Sequence, residues 1–105
     1  MKLDDLMDAL LTGLPGEDLV RRGLADFQSN RCTVPACLVH IARPRLMQSG
    51  LLPQDGFYAM IEPEIQLYRL LKQEKGDAYS RYNSLLRELI SFEMALDHRL
   101  QKRKD

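Results

Sequence analysis

Residues 61–100 read IEPEIQLYRLLKQEKGDAYSRYNSLLRELISFEMALDHRL, and this run decides the fold. Ile61, Ile65, Leu67, Tyr68, Leu70 and Leu71, then Ala78, Tyr82, Leu85, Leu86, Leu89, Ile90, Phe92, Leu96 and Leu100 recur every three to four residues. That is the period of a helix and not of a strand. Between Ala78 and Leu100 the apolar positions cover roughly 200° of a helical wheel, whereas a helix with one buried face needs about 100° or a little more. Arg81, Ser84, Arg87, Glu88, Ser91 and His98 fill the polar arc. A stripe this broad asks for a neighbour on each side. The sequence therefore predicts a helix that packs on its own domain with one flank and on a second copy of the chain with the other, through Tyr82, Leu85, Leu89, Phe92 and Leu96. The alternative is that the N-terminal helices cover both flanks.

The run is interrupted once, at Lys72-Gln73-Glu74-Lys75-Gly76-Asp77. Glycine is favoured just past a helix end and aspartate at the cap of the next. This predicts two helices, about Pro63 to Lys75 and about Ala78 to Lys102, joined by a tight turn, with a basic tail at 101–105 that frays. A single kinked helix keeps the stripe in phase and stays open. It would extend about 60 Å and would almost require a dimer.

Working outward, Leu3, Met7, Leu10 and Leu14, broadened by Leu6 and Leu11, give an amphipathic helix ended by Gly13, with Asp4, Asp5 and Asp8 on its polar face. An acidic face suits a protein partner rather than a membrane surface. Leu14-Pro15-Gly16-Glu17-Asp18 reads as a turn into a second helix that buries Leu19, Val20, Leu24 and Phe27 and stops at Gln28-Ser29-Asn30. Gly23 lies inside it and permits a close crossing. Thr33 is the expected N-cap of a third helix, which carries Val34, Cys37, Leu38 and Ile41 inward; Pro44 breaks that helix near Arg43. A short segment with Leu46 and Met47 follows, stopped by Gly50, and then a loop over Leu51 to Gly56. Phe57, Tyr58, Met60 and Ile61 read as loop or a short turn that lays apolar surface on the core. The expectation is one all-α domain over residues 1–105, a small bundle of four to five helices with a long C-terminal helix or helical hairpin.

Hydrophobic residues at 45% and charged residues at 29% are ordinary for a folded domain and argue against disorder. A chain of 105 residues holds one core and no second module. Fifteen basic and fifteen acidic side chains cancel to a net charge of +0, so overall charge gives no reason to bind nucleic acid or membrane. Acidic residues crowd the first eighteen positions and arginines crowd 21–45. Pairing of these blocks, within the fold or between subunits, is the simplest reading. With no long apolar run, an acidic N-terminus where an export signal carries positive charge, and only two cysteines, a cytoplasmic protein with free thiols is expected.

Chemistry finds little support. Cys32, Cys37, His40 and His98 could supply four zinc-compatible atoms, but their spacing matches no common ligand pattern and Cys37 falls on an apolar face. A carboxylate-bridged metal pair needs Glu-x-x-His on two helices, and Glu93 and His98 are five apart. Glu93 instead reads as an ion-pair partner of Lys75 or of an arginine on a second subunit. Residues 25–41 could imitate a helix-turn-helix, with Arg21, Arg22, Arg43 and Arg45 on phosphates. Against this, the turn lacks glycine and the second helix is largely apolar. Tyr68, Tyr79, Tyr82 and Phe92 are better placed as interface aromatics than as platforms for bases. Phosphate loops, serine elbows and metalloprotease motifs are absent, and no cofactor is expected. The functional expectation is a non-catalytic interaction or adaptor module that self-associates; a small DNA-binding regulator and a metal-binding module are the alternatives.

Overall fold

The computed structural model describes residues 8–52 and 60–104, the side chains of Arg103 and Lys104 excepted. The chain is all-α: among the described residues there are six helices and no strand. In order these are α1 (8–11), α2 (Glu17–Gln28), α3 (Val34–Ile41), α4 (Arg43–Ser49), α5 (Pro63–Lys72) and α6 (Ala78–Lys104). Most of the loop expected at Leu51 to Gly56, together with Phe57 and Tyr58, lies outside the described residues, as does the start of the expected first helix.

Local chemistry sets each boundary. Gly16 (φ 76) turns the chain into α2 and Glu17 and Asp18 occupy its first turn, where carboxylates meet the positive end of the helix. The helix closes through Asn30 at φ 57, a conformation asparagine tolerates, and the Arg31 N–H reaches back to the Asp26 carbonyl at 2.8 Å. The Thr33 hydroxyl accepts the Ala36 N–H at 3.2 Å and donates to Asp26 Oδ2 at 2.7 Å. One side chain thus caps α3 and ties it to α2. Pro44 has no N–H for the carbonyl of His40, so α3 ends at Ile41 and Pro44 enters the first turn of α4. Gly50 stops α4 at φ 85.

The C-terminal run is a hairpin. Helix α5 ends at Lys72, three residues before the expected Lys75. After Gly76 (φ 111), the Asp77 carboxylate accepts the N–H groups of Tyr79 and Ser80 at 3.0 and 3.3 Å and the Ser80 hydroxyl at 2.8 Å. A strong N-cap after a glycine turn outweighs the continuity of the stripe. The greatest extent is 44 Å, short of a single helix over 61–100. Helix α6 runs through the basic end to Lys104.

Helix α3 sits at the centre, between α2 and α5, with Ala36, Cys37, Leu38 and Val39 all buried. It meets α2 where Gly23 has no side chain: a Cβ there would lie 2.4 Å from the Pro35 carbonyl oxygen and 2.5 Å from Val39 Cγ2. Leu67 and Leu71 of α5 and Leu89, Phe92 and Leu96 of α6 complete the core with Leu10, Leu11, Leu24 and Leu46. Arg99 of α6 donates to the carbonyls of Leu10 at 3.1 Å and Thr12 at 2.6 Å, capping the end of α1.

This packing corrects the expected interface. Phe92 and Leu96 are 0% exposed and Leu89 is buried with them, while Tyr82 and Leu85 pack against the same core. Leu89, Phe92 and Leu96 are thus covered by this chain's own helices, while Tyr82 and Leu85 stay half-buried at the edge of the core.

Candidate interaction surface

Among the described residues, those singled out for metal do not gather into one site, although the Cys32 thiol is close enough to Cys37 to act on it. Cys37 is buried at the start of α3, and burial pushes its thiol up to about 12, which keeps it protonated and inert. Its Sγ lies 3.9 Å from Met60 Sδ. Cys32 is exposed one residue before the cap. His40 rests on Phe27 with ring centroids 4.6 Å apart, and its Nδ1 accepts the Met60 N–H at 3.4 Å; burial holds it below the usual histidine range, with Arg43 adding to the effect. His98 is on α6, beside a shallow hollow of ≈ 330 Å³ at the Gly13–Pro15 turn. Among the described residues no three or more His, Cys, Asp or Glu side chains gather as metal ligands would.

The arginine strip is divided by carboxylates. Arg21 holds Glu17 Oε2 at 2.7 Å and Asp8 Oδ1 at 2.8 Å, an intramolecular pairing of the acidic and basic blocks. The hydrogen bond from the Gly13 N–H, helped by Arg21, keeps the Glu17 carboxyl below the usual range. Arg45 pairs with Asp97 and approaches Glu93 at 4.0 Å. Glu93 thus has a cation on α4 of its own chain, and burial raises its carboxyl against that attraction. Arg22 and Arg43 remain, exposed and half-buried. The second helix of the supposed DNA reader is α3, whose Ala36, Cys37, Leu38 and Val39 are buried at the centre of the fold.

What the structure leaves outside is apolar. Ile61 (80% exposed), Ile65 (45%), Tyr79 (66%), Ile90 (54%) and Met94 (68%) are the large exposed hydrophobics among the described residues. All five lie on or beside the α5–α6 hairpin. Ile90 and Met94 share a face of α6 one turn apart, and at about 100° per residue Ile90 sits about 160° round the helix from Phe92. Ile90 is a part of the broad stripe that the core does not use, and Met94, outside the stripe, widens the exposed apolar face. The signal was in the sequence, since Ile90 belongs to the stripe, but periodicity gives its width and not its inner edge.

A second feature lies between the two helices of the hairpin. A groove of ≈ 420 Å³ is lined by Glu64, Ile65, Tyr68, Arg69, Lys72 and Tyr82. Its floor is the edge-to-face pair Tyr68–Tyr82, 5.7 Å between centroids at 84°, and Lys72 Nζ stands 5.6 Å from the centre of the Tyr68 ring, within cation–π range. The described residues contain no buried polar or charged residue and no buried side-chain N or O atom without a partner. No helix of the described residues is long and apolar enough to cross a membrane. No family model, curated protein or solved structure matches the chain.

Proposed function

We propose that the protein is a non-catalytic interaction or adaptor module that self-associates through the outer face of α6. The observation that carries this reading is that the five large exposed hydrophobics among the described residues all fall within 61–94, while the described large apolar side chains of α1 to α4 turn inward. Exposed apolar surface gathered on one side of a small domain marks a place of contact. Ile90 and Met94 supply the self-contact, in place of Tyr82, Leu85, Leu89, Phe92 and Leu96. A cytoplasmic setting belongs to the same proposal: both cysteines are free thiols, which suits a reducing compartment.

Light scattering over a concentration series tests it. The chain is 12.1 kDa, so a dimer has twice that mass, about 24 kDa. Ile90→Lys with Met94→Lys should return the mass to 12.1 kDa and leave helix content unchanged, since neither side chain belongs to the core. A wild-type chain that stays monomeric, or a double variant that stays dimeric, refutes self-association through this face.

A further inference from the structure

We infer that the groove between α5 and α6 receives an acidic amphipathic helix of a partner protein, with its apolar face on Ile65, Tyr68 and Tyr82 and its carboxylates on Arg69 and Lys72. This rests on the reading of the chain as an interaction module, but it uses a different surface from Ile90 and Met94.

The shape argues for a helix. The walls are α5, which supplies Glu64, Ile65, Tyr68, Arg69 and Lys72, and α6, which supplies Tyr82, the two helices being joined by a turn of five residues between Lys72 and Ala78. An apolar trough between such walls is the form that takes a third helix by its stripe of side chains at i, i+3 or i+4, and i+7. Ile65 lines it and is exposed to a guest.

The charge argues for an acidic partner. Arg21, Arg31, Arg45 and Arg81 each have a carboxylate of their own chain within pairing distance. Arg69 and Lys72 line the groove and have no such partner among the described residues; Lys72 is held over the Tyr68 ring instead. They belong to the last turn of α5, where positive side chains also complement the helix end. That role leaves their outward N–H groups able to donate to a carboxylate. Glu64 lines the other end of the groove, in the first turn of α5. The rim is thus positive at the closed end of the hairpin and negative at the open end. It orients the guest, acidic residues toward the turn and basic or neutral ones toward Glu64.

The probes are two synthetic peptides of about 16 residues with the same leucine stripe, one bearing glutamates and one lysines on the segment that meets Arg69 and Lys72, titrated into the full chain. The glutamate peptide should bind, shift the ring resonances of Tyr68 and Tyr82, and weaken as salt rises. Arg69→Glu with Lys72→Glu, both at the surface, should weaken it roughly tenfold and transfer preference to the lysine peptide. Ile65→Glu, also outside the core, should abolish binding while the chain stays folded. Equal binding of both peptides, binding of neither, or indifference to the double charge reversal overturns the inference. A chain that dimerises but binds no peptide loses this inference alone; a monomer that binds the glutamate peptide loses only self-association.

Discussion

Replacing Gly23 by alanine tests the packing that the whole bundle depends on, because two effects of opposite sign meet at one atom. In an exposed helix interior the change stabilises by about 0.5–1 kcal/mol, since alanine loses less backbone freedom. Here the new Cβ would lie 2.4 Å from the Pro35 carbonyl oxygen and 2.5 Å from Val39 Cγ2. The first is backbone in the opening turn of α3, so no rotamer change relieves it. Ordinary contact begins near 3.4 Å, and α3 would have to withdraw from α2 by about 1 Å, thinning the contacts of Leu38 and Val39 with their neighbours. Overpacking of this kind costs about 1–3 kcal/mol. Set against the propensity gain, the expected loss is about 0–2.5 kcal/mol, centred near 1 kcal/mol, which lowers Tm by roughly 4–8 °C for a domain this size. Thermal and urea unfolding followed by circular dichroism measure it. Gly50→Ala is the comparison: nothing lies within 4 Å of its Cβ, but φ is +85, so its cost is backbone strain alone, about 1 kcal/mol. A Gly23→Ala chain that melts at or above the wild-type temperature would show that α2 and α3 do not cross where the structure places them.

Three further outcomes follow from the same helices. Thr33→Ala removes the cap of α3 and its bond to Asp26 and should cost about 1–2 kcal/mol in urea unfolding, with Thr33→Ser recovering most of it; equal losses for both would mean that the methyl group, not the hydroxyl, matters. A thiol reagent at neutral pH should label Cys32 quickly and Cys37 only on unfolding, because Cys37 is buried with its thiol pushed up to about 12; two fast equivalents by mass spectrometry would contradict the burial of α3. His40 is held below the ordinary histidine value by burial and Arg43, so as pH falls the unfolded chain takes up the proton first. Its contribution to stability is therefore complete above about pH 6.5 and is lost as pH falls through the lower folded value. His40→Gln should flatten that part of the stability–pH curve, and an unchanged curve would reassign the acid loss to the carboxylates.

The parts of the fold legible in the sequence are those fixed within a few residues. Thr33 ahead of Pro35, Pro44 after the apolar run, Gly50 and Asp77 each terminate or start a helix by chemistry that acts over one turn, and the structure places those boundaries there. The Glu17–Arg21 pair is equally local, one turn apart on a helix. Arg45 with Asp97 is not: the two are 52 positions apart, and no local rule selects Asp97 over any other carboxylate. The same limit governs the candidate site. A wheel assigned α6 an apolar arc of roughly 200°, but which part faces the core depends on where α3 and α5 lie. Both halves of that arc offer good hydrophobic side chains, Leu89, Phe92 and Leu96 on one and Ile90 on the other. The core takes the half with the aromatic ring. Met94, an apolar residue outside the stripe, then joins Ile90 on the exposed side, and the groove of Tyr68 and Tyr82 exists only because the chain reverses at 73–77. A surface made by the reversal of a hairpin has no signature in either helix alone, which is why the groove is not legible in the sequence although both tyrosines are.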